Sequence, residues 1–595
     1  MSSPTGVPHP PPGVEHGPAS TSRDGGRSWL LLLALCLFVA VAHTGMTWGH
    51  VREFWGDTGR WMHEVDRFAS GERFYLDFTW PFPPFAMWVV GTLARVVGTD
   101  VTQLWLITSA IFLLVVLAFV RYVRLVVPRD LMAVTAITGL VGAIAWAQTS
   151  GAPLPLGSYS PAALVGGGLL LVTVVFLVQV VQGTGGWWSC AGLGAAASLA
   201  VLTKQDFWMP AFVAVLLGLR HAPARGRGVL VAAAILPALV GYSVLLLRLG
   251  PDGFLAMLGG FGHLSERGGR GLPSGRLLAG ELGALSIPLW LVPLLGHRRG
   301  ARWWLLPATL SLGAILAHWS VLGLSGLAVL AADIPPRAIS LFLPFAGLVW
   351  LHLARPTAEP RLRGLASVML IVACAARARR GFEGLEWFQV MLEVPAYALA
   401  LRAVHGPGRA RLQQVAVALL LLVALQVFWT SGRGPLTQRE QLGHETVLTP
   451  RGPILLVPTA AGDYRFAAAT VAELDPGGNR PVFAFGYAGG WAYFLKRRNP
   501  TPAPQGFWFT LEPPEQVLAE AQASHPIVLD SRPFREGRVR DTGAGLLRWE
   551  APMIASVYMR HDRPYFERLI AGCPLVARHP ATAERPFLEA YDCRE

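Results

Sequence analysis

Charged side chains are scarce in this sequence of 595 residues, since they make up 15% of it, whereas hydrophobic residues make up 53%. Soluble domains carry about 25% charged residues, because a surface that faces water needs them. Apolar runs of roughly 16 to 23 residues, long enough to cross a bilayer as helices, recur from Trp29 to Trp429. The composition excludes a cytosolic enzyme and a disordered scaffold, and it predicts a polytopic helical membrane protein.

Lysine is almost missing, because Lys204 and Lys496 are the only two lysines among 50 basic residues. The arginines fall mainly in short loops between apolar runs, where the positive-inside rule makes them determinants of topology. The net charge of +13 would suggest nucleic acid in a soluble protein. Here the arginines of the short loops account for the positive charge, and no nucleic-acid partner is predicted.

Cysteine is also rare, with five residues in the chain. Three lie in apolar runs, whereas Cys573 and Cys593 lie in the polar tail and would form one disulfide if the tail is extracytoplasmic. No His/Cys array accompanies them, so zinc is not expected. The phosphate-binding pattern Gly-x-x-x-x-Gly-Lys-Ser/Thr does not occur, which excludes a P-loop ATPase.

The pattern of hydropathy and charge predicts a mainly α protein, a polytopic helical bundle followed by a small α/β domain. The predicted parts are a disordered cytoplasmic tail (1–28), a transmembrane domain (29–430) that contains a first external loop (49–82), and an extracytoplasmic α/β domain (431–595). The predicted spans are 29–48, 83–98, 102–124, 131–147, 160–182, 187–203, 206–220, 228–247, 277–296, 302–324, 337–354, 364–377, 388–403 and 412–430.

The number of crossings follows from the basic loops. With the N-terminal arginines and the loop at 121–129 inside, segment 82–125 must cross the membrane an odd number of times, yet it holds two apolar runs. One of these two runs therefore does not span, and about thirteen transmembrane helices are predicted. The tail is expected to be α/β because β-like runs at 453–458, 481–485 and 526–530 flank a helical stretch at 513–523.

The first external loop carries most of the chemistry. If 57–69 is helical, Asp57, Arg60, Trp61, Glu64 and Phe68 share one face. An acid beside apolar surface at the membrane boundary can act as a general base, and aromatic rings can bind sugars. The alternative is that the helix is only an interfacial anchor, in which tryptophan and arginine contact headgroups.

This loop resembles the first external loop of GT-C glycosyltransferases, specifically the protein mannosyltransferase and aminoarabinose transferase-like group. The resemblance rests on an Asp just beyond the first helix, on Gly71-Glu72-Arg73-Phe74-Tyr75-Leu76-Asp77-Phe78, and on Pro81-Phe82-Pro83-Pro84. Leu202-Thr203-Lys204-Gln205 and Tyr493-Phe494-Leu495-Lys496-Arg497-Arg498-Asn499-Pro500-Thr501 are similar to later segments of that group. The resemblance covers most of the chain as architecture and about 50 residues as motifs.

The resemblance implies an enzyme of the cytoplasmic membrane that acts at its outer face, with a polyprenyl-phosphate sugar as donor and a glycan, lipid or protein as acceptor. It implies that Asp57 deprotonates the acceptor hydroxyl. On the same helix face, Arg60 and Glu64 are candidate substrate contacts, and the alternatives for Glu64 are to orient the partners of Asp57 or to hold a divalent cation with it. The leaving polyprenyl phosphate is an anion that needs fixed cations, and Lys204 is the best candidate for one. An ion pair of Lys204 with Asp206, or contact with lipid headgroups, is the alternative.

Four further residues are candidate phosphate ligands on predicted outward segments. His263, Arg267 and Arg270 lie in the predicted outward loop 251–276, in its part 259–275, whose glycines permit a mobile segment that closes over a phosphate. The alternative is a solvated flexible loop with no ligand. Arg337 starts a predicted helix, and a salt bridge with Asp333 is its alternative role. No cofactor is expected, although a divalent cation is compatible with the family.

The sequence departs from the aminoarabinose-transferase pattern at one position. Phe82-Pro83-Pro84 stands where that subgroup has Lys-Pro-Pro, which removes one expected phosphate ligand. The donor sugar and the acceptor therefore stay open. Two other functions also stay open: a flippase or transporter of lipid-linked saccharides, and a noncatalytic membrane scaffold. Membrane lipids are partners in every case.

Overall fold

The structure is a computed structural model. It describes residues 24–51, 57–149, 154–155, 160–270, 344, 347–348, 350–351, 360–380, 387–419, 443–485, 489–502, 513–531, 563–579 and 588–594.

Helices account for nearly all of the N-terminal part that the structure describes. They are α1 (Asp24–Met46), α2 (Asp57–Ala69), α3 (Phe85–Val97), α4 (Val101–Val126), α5 (Arg129–Thr149), α6 (Pro161–Gln182), α7 (Gly186–Thr203), α8 (Trp208–His221), α9 (Ala224–Arg270), α10 (Pro360–Arg380) and α11 (Trp387–His405). In the bundle α7 packs against α6 and α9, α4 packs against α6, and α11 packs against α5 and α10.

Six of the described helices are long and apolar enough to cross a membrane, so the chain is a multi-pass membrane protein. The candidate spans are Trp29–Met46, Val101–Val126, Arg129–Ala147, Pro161–Gln182, Gly186–Thr203 and Ala224–Leu255. The prediction of about thirteen crossings stays a prediction, because the expected spans at 277–296 and 302–324 and most of 337–354 lie outside the described residues.

The two apolar runs within 82–125 differ in length. Helix α3 has 13 residues and α4 has 26, which correspond to about 20 Å and about 39 Å at 1.5 Å per residue. A hydrocarbon core of about 30 Å is crossed by α4 but not by α3. This agrees with the expectation that only one of these runs spans.

The predicted loop at 251–276 is wrong for residues 251–270. Gly250 has φ of 72° and interrupts α9, but the helix resumes at once and continues to Arg270. Glycine tolerates this left-handed backbone, and proline suits the first turn of a helix because its missing N–H would have no intrahelical partner there. Gly250-Pro251 therefore kinks the helix instead of opening a loop.

The C-terminal part that the structure describes is α/β, as predicted. Its elements are β1 (Glu445–Thr449), β2 (Gly452–Leu456), α12 (Pro458–Leu474), β3 (Val482–Phe485), α13 (Trp491–Phe494), α14 (Pro514–Ala523), β4 (Ile527–Ser531), α15 (Arg563–Ile570), β5 (Leu575–His579) and β6 (Leu588–Asp592). Strands β1 and β2 form an antiparallel hairpin, and the other strands form a sheet in the order β3-β4-β6-β5.

Within the four-stranded sheet, β3 and β4 are parallel, while β6 runs antiparallel to both β4 and β5. The expected bond between Cys573 and Cys593 is present and ties the end of α15 to the end of β6. Strands β1, β5 and β6 and helices α12, α13 and α15 were not predicted. The boundaries proposed for the domains stay predictions.

Candidate functional site

Helix α2 begins at Asp57 and ends as the sequence predicts. Gly71 has φ of 103°, and the N–H groups of Gly71 and Glu72 donate to the carbonyls of Phe68 and Arg67, at 3.1 and 3.0 Å. This pair of bonds is the Schellman motif, which requires a left-handed residue where glycine stands. The expected helical register of the loop is therefore confirmed.

The predicted face of α2 brings three ionisable groups together. An Asp57 carboxylate oxygen lies 3.2 Å from Nη2 of Arg60, and Nε of Arg60 lies 3.9 Å from a carboxyl oxygen of Glu64. Asp57 is 5% exposed, Arg60 1% and Glu64 0%. An acid in the first turn also interacts favourably with the positive end of the helix dipole.

The helix is buried on more sides than an interfacial anchor would be. Thr58, Met62, His63 and Val65 on its other faces are buried as well. Trp61, on the predicted face, is also buried. This burial does not fit the alternative in which α2 is only an interfacial anchor that contacts headgroups.

Burial shifts the pKa values of two α2 side chains in opposite directions. Desolvation raises the pKa of Glu64 to about 8, although Arg60 opposes this, and desolvation lowers the pKa of His63 to about 3. Neither side chain has a hydrogen-bond partner in the described part of the chain. At neutral pH both are therefore largely uncharged.

Lys204 lies beside the same group of residues. It follows α7 with an extended backbone, is 2% exposed, and its Nζ lies 3.0 Å from a carboxylate oxygen of Asp206. The Lys204 ammonium is 5.6 Å from the centroid of the Phe82 ring, and the Arg60 guanidinium is 5.8 Å from the same centroid. Two buried cations therefore share one aromatic ring, a favourable arrangement for each of them.

The position of Phe82 is set by the loop that follows α2. The Tyr75 hydroxyl donates to the Phe82 carbonyl, and Nε1 of Trp80 donates to the Pro83 carbonyl at 3.1 Å. Tyr75 has φ of 71°, a strained backbone for a bulky residue. Such strain is retained where surrounding bonds fix it. Phe82 is the functional candidate that sequence reasoning missed, and its place before Pro83-Pro84 was the available signal.

The C-terminal domain covers the middle of α2. Arg451, in the turn of the β1–β2 hairpin, pairs with Asp66, which also accepts a hydrogen bond from the Thr99 hydroxyl at 2.6 Å. The Arg451 guanidinium lies 5.0 Å from the ring centroid of Tyr493, whose hydroxyl donates to the Thr99 carbonyl at 2.5 Å. These residues, Asp66, Thr99, Arg451 and Tyr493, are named the hairpin clamp.

A second contact joins the loop to the segment that follows α13. Arg67 donates to the Thr501 carbonyl at 3.2 Å, and the Thr79 N–H donates to the Pro502 carbonyl at 2.9 Å. Tyr493 and Thr501 belong to the tail motif quoted above. This motif therefore lies against α2, the helix that carries Asp57.

The side chains of the other four predicted phosphate ligands lie outside the described residues. His263, Arg267 and Arg270 occupy the last turns of α9, and their side chains are not among those described. Arg337 lies outside the described residues. No group of three His, Cys, Asp or Glu side chains that could hold a metal occurs in the described part.

The fold and the buried charges define a multi-pass membrane protein with a polar centre beneath an α/β domain. ArnT from Cupriavidus metallidurans in its apo state is similar to it, with a TM-score of 0.40, 16% identity, and coverage of 95% of this chain and 98% of that one. The same enzyme bound to undecaprenyl phosphate has a TM-score of 0.39 and 16% identity, with coverage of 94% of this chain and 97% of that one.

A third similar structure is the archaeal oligosaccharyltransferase AglB from Archaeoglobus fulgidus, in complex with an inhibitory peptide and a dolichol-phosphate. Its TM-score is 0.44 at 10% identity, over 96% of this chain and 75% of that one. These structures are GT-C membrane glycosyltransferases, the class that the sequence resembles. At such low identity, neither catalytic residues nor substrates carry over. No family model and no curated protein matches the chain.

Proposed function

We propose that this chain is a glycosyltransferase of the cytoplasmic membrane that moves a sugar from a polyprenyl-phosphate donor to an acceptor hydroxyl, with inversion, at the outer face. The observation that carries the proposal is that two buried cations, Arg60 and Lys204, lie beside the Phe82 ring, and that Asp57 pairs with one of them, Arg60. A carboxylate and two buried cations in one group match the charges of this reaction, which releases a proton on one side and a phosphate anion on the other.

Asp57 acts as the general base in this proposal. Its carboxylate takes the proton of the acceptor hydroxyl, and the oxygen forms a bond to the anomeric carbon. The bond between that carbon and the phosphate oxygen breaks, and its electron pair leaves with the polyprenyl phosphate. Glu64 is less suited to the role, because burial keeps it largely protonated at neutral pH.

Lys204 and Arg60 stabilise the negative charge that develops on the departing phosphate. Fixed cations in a site that excludes water are effective at this task, because they need no reorganisation during the reaction. The pair with Asp206 is compatible with this role, since it holds the ammonium in place before the donor binds. His263, Arg267, Arg270 and Arg337 are proposed as further phosphate contacts, and catalysis is proposed to need no metal.

The α/β domain is proposed to help select the acceptor. It covers α2 through the hairpin clamp and through Thr501 and Pro502. An acceptor that reaches Asp57 would therefore approach beside this domain.

The test is to incubate the purified protein with a panel of labelled polyprenyl-phosphate sugars and to measure the release of polyprenyl phosphate. We expect release by the wild type, and Asp57→Asn to lower its rate by about 10²- to 10⁴-fold, as removal of a general base does. Asp77→Asn is the matched control, because Asp77 lies in the same loop but pairs with the exposed Arg73.

A flippase or a scaffold would function equally well with Asn at position 57. Full sugar transfer by Asp57→Asn would therefore remove the catalytic role of this residue. No release from any donor, with a well-folded protein, would remove the enzyme proposal itself.

A further inference from the structure

A second positive cluster lies at the other end of α2. A pocket of 260 Å³ is formed where the end of α2, the segment after it and α9 meet, and Arg73, Arg95 and Arg248 lie on its lining. Phe68 also lines it and follows Asp57 by eleven residues, or about 16 Å along the helix. This arginine pocket is therefore separate from the group around Phe82.

Two of the three arginines have no acidic partner among the residues that the structure describes. Arg73 pairs with Asp77 at 2.9 Å. Arg95 donates twice to the Phe68 carbonyl, at 3.1 and 2.7 Å, and its guanidinium lies 4.2 Å from the Phe68 ring centroid. Arg248 has neither an ion pair nor a hydrogen bond with any other residue in the described part. The pocket therefore has an excess of positive charge.

The acid on the pocket lining does not remove this excess. Glu72 is held by Arg67, with 2.6 Å between a carboxylate oxygen and Nη2. Arg95 is fixed by the two bonds from its Nε and Nη2 to the Phe68 carbonyl, so the guanidinium plane is already oriented. Its Nη1–Nη2 edge keeps N–H donors for the oxygens of a phosphodiester.

The surroundings of the pocket suit acyl chains. Arg248 lies within the candidate span Ala224–Leu255, and its neighbour Leu247 is 85% exposed. Val96, next to Arg95 on α3, is 83% exposed. An arginine in a membrane helix is costly unless an anion or water accompanies it, and large apolar residues this exposed belong against lipid.

We propose that the arginine pocket binds the headgroup of an anionic phospholipid. Its phosphodiester pairs with Arg95 and Arg248, and its acyl chains lie along Val96 and Leu247. The pocket is smaller than the roughly 300–1,000 Å³ of sites that enclose a whole drug-sized ligand, so it holds a headgroup while the chains stay outside. This lipid site does not depend on the proposed transferase activity.

Native mass spectrometry of the full-length protein in detergent tests the proposal, with phosphatidylglycerol as the anionic probe and phosphatidylcholine as the zwitterionic one. We expect phosphatidylglycerol to be retained more tightly, and Arg248→Gln to weaken it about fivefold, the effect of one arginine near a charged lipid. Arg225→Gln is the matched control: it lies in the first turn of the same helix and has no ion pair in the described part of the chain. It should bind as the wild type does.

Three results would overturn the proposal. Equal retention of the two lipids by the wild type would show no preference for negative charge. Equal weakening by Arg248→Gln and Arg225→Gln would show a general attraction to basic surface. Displacement of phosphatidylglycerol by an equal concentration of inorganic phosphate would show that acyl chains contribute nothing. Size-exclusion elution at the wild-type volume verifies that each variant is folded.

Discussion

Glu393 and Glu64 are two of the buried carboxyl groups that stand beside an arginine in the described part of the chain, and they are held very differently. Between α10 and α11, Glu393 accepts hydrogen bonds from both Nε and Nη2 of Arg377, the second at 2.7 Å. On α2, Glu64 comes no closer than 3.9 Å to Nε of Arg60 and accepts no hydrogen bond in the described part of the chain. Both acids are buried.

The difference follows from where the partners stand. Arg377 and Glu393 project from two helices that face each other, so the guanidinium fork meets the carboxylate edge with parallel bonds. Arg60 and Glu64 are four residues apart on one helix, a spacing that brings side chains near each other but rarely fork to fork. In the first pair both carboxyl oxygens of Glu393 accept a hydrogen bond from Arg377. In the second, neither oxygen of Glu64 accepts a hydrogen bond from the described part of the chain.

The largest effect is expected from breaking the pair of Arg377 and Glu393. Glu393→Ala leaves the Arg377 cation buried without its partner, which typically costs about 3–5 kcal/mol of folding free energy. Thermal unfolding in detergent should show a large drop in melting temperature. The double variant Arg377→Leu with Glu393→Leu should regain most of the loss, because apolar side chains of similar volume need no partner. An unchanged melting temperature in the single variant would show that the pair is not structural.

The next effect concerns Lys204 and separates its two possible roles. If the ammonium stabilises the leaving phosphate, Lys204→Gln should lower transfer by about 10²- to 10³-fold, the size seen for fixed electrostatic groups. Asp206→Asn removes the ion pair but keeps the ammonium, so it should cost far less activity. Initial rates of polyprenyl-phosphate release distinguish the two. Equal losses of activity in both variants would mean that Lys204 acts only through its ion pair with Asp206.

Much of the helical framework could be predicted from the sequence, because it depends on local patterns. The Asp57 end of α2, its stop at Gly71 and the short α3 all follow from periodicity, turn residues and length. The kinked α9 could not be predicted, since Gly-Pro reads equally well as a loop. The pairing of Asp66 with Arg451 joins residues 385 positions apart. No local pattern reports such a contact, so the sequence led us to expect the C-terminal domain over the site but could not identify the residue pairs that hold it there.

A smaller effect is expected when the hairpin clamp is loosened. Arg451→Gln leaves Asp66 without its cation and should cost about 1–3 kcal/mol, as loss of a charged hydrogen bond does. The α/β domain should then be cut more readily by limited proteolysis. Arg465→Gln is the matched control, because its pair with Glu445 is exposed and such pairs contribute about 0–1 kcal/mol. Equal cleavage of Arg451→Gln and wild type would mean that other contacts hold the domain on α2.

The last prediction sharpens the contrast between Glu64 and Glu393. The pKa of Glu64 rises from 4.5 to about 8 on burial, so between these values the unfolded chain has lost a proton that the folded chain keeps. Folding stability therefore falls as pH rises through this window and levels off above about pH 8. Glu64→Gln removes this slope, and Glu473→Gln, an exposed change on α12, should keep it. Melting temperatures from pH 5 to pH 9 measure the slope. An identical slope in Glu64→Gln and wild type would mean that the carboxyl is ionised and satisfied in the folded protein, and α2 would then hold its acid as firmly as α10 and α11 hold theirs.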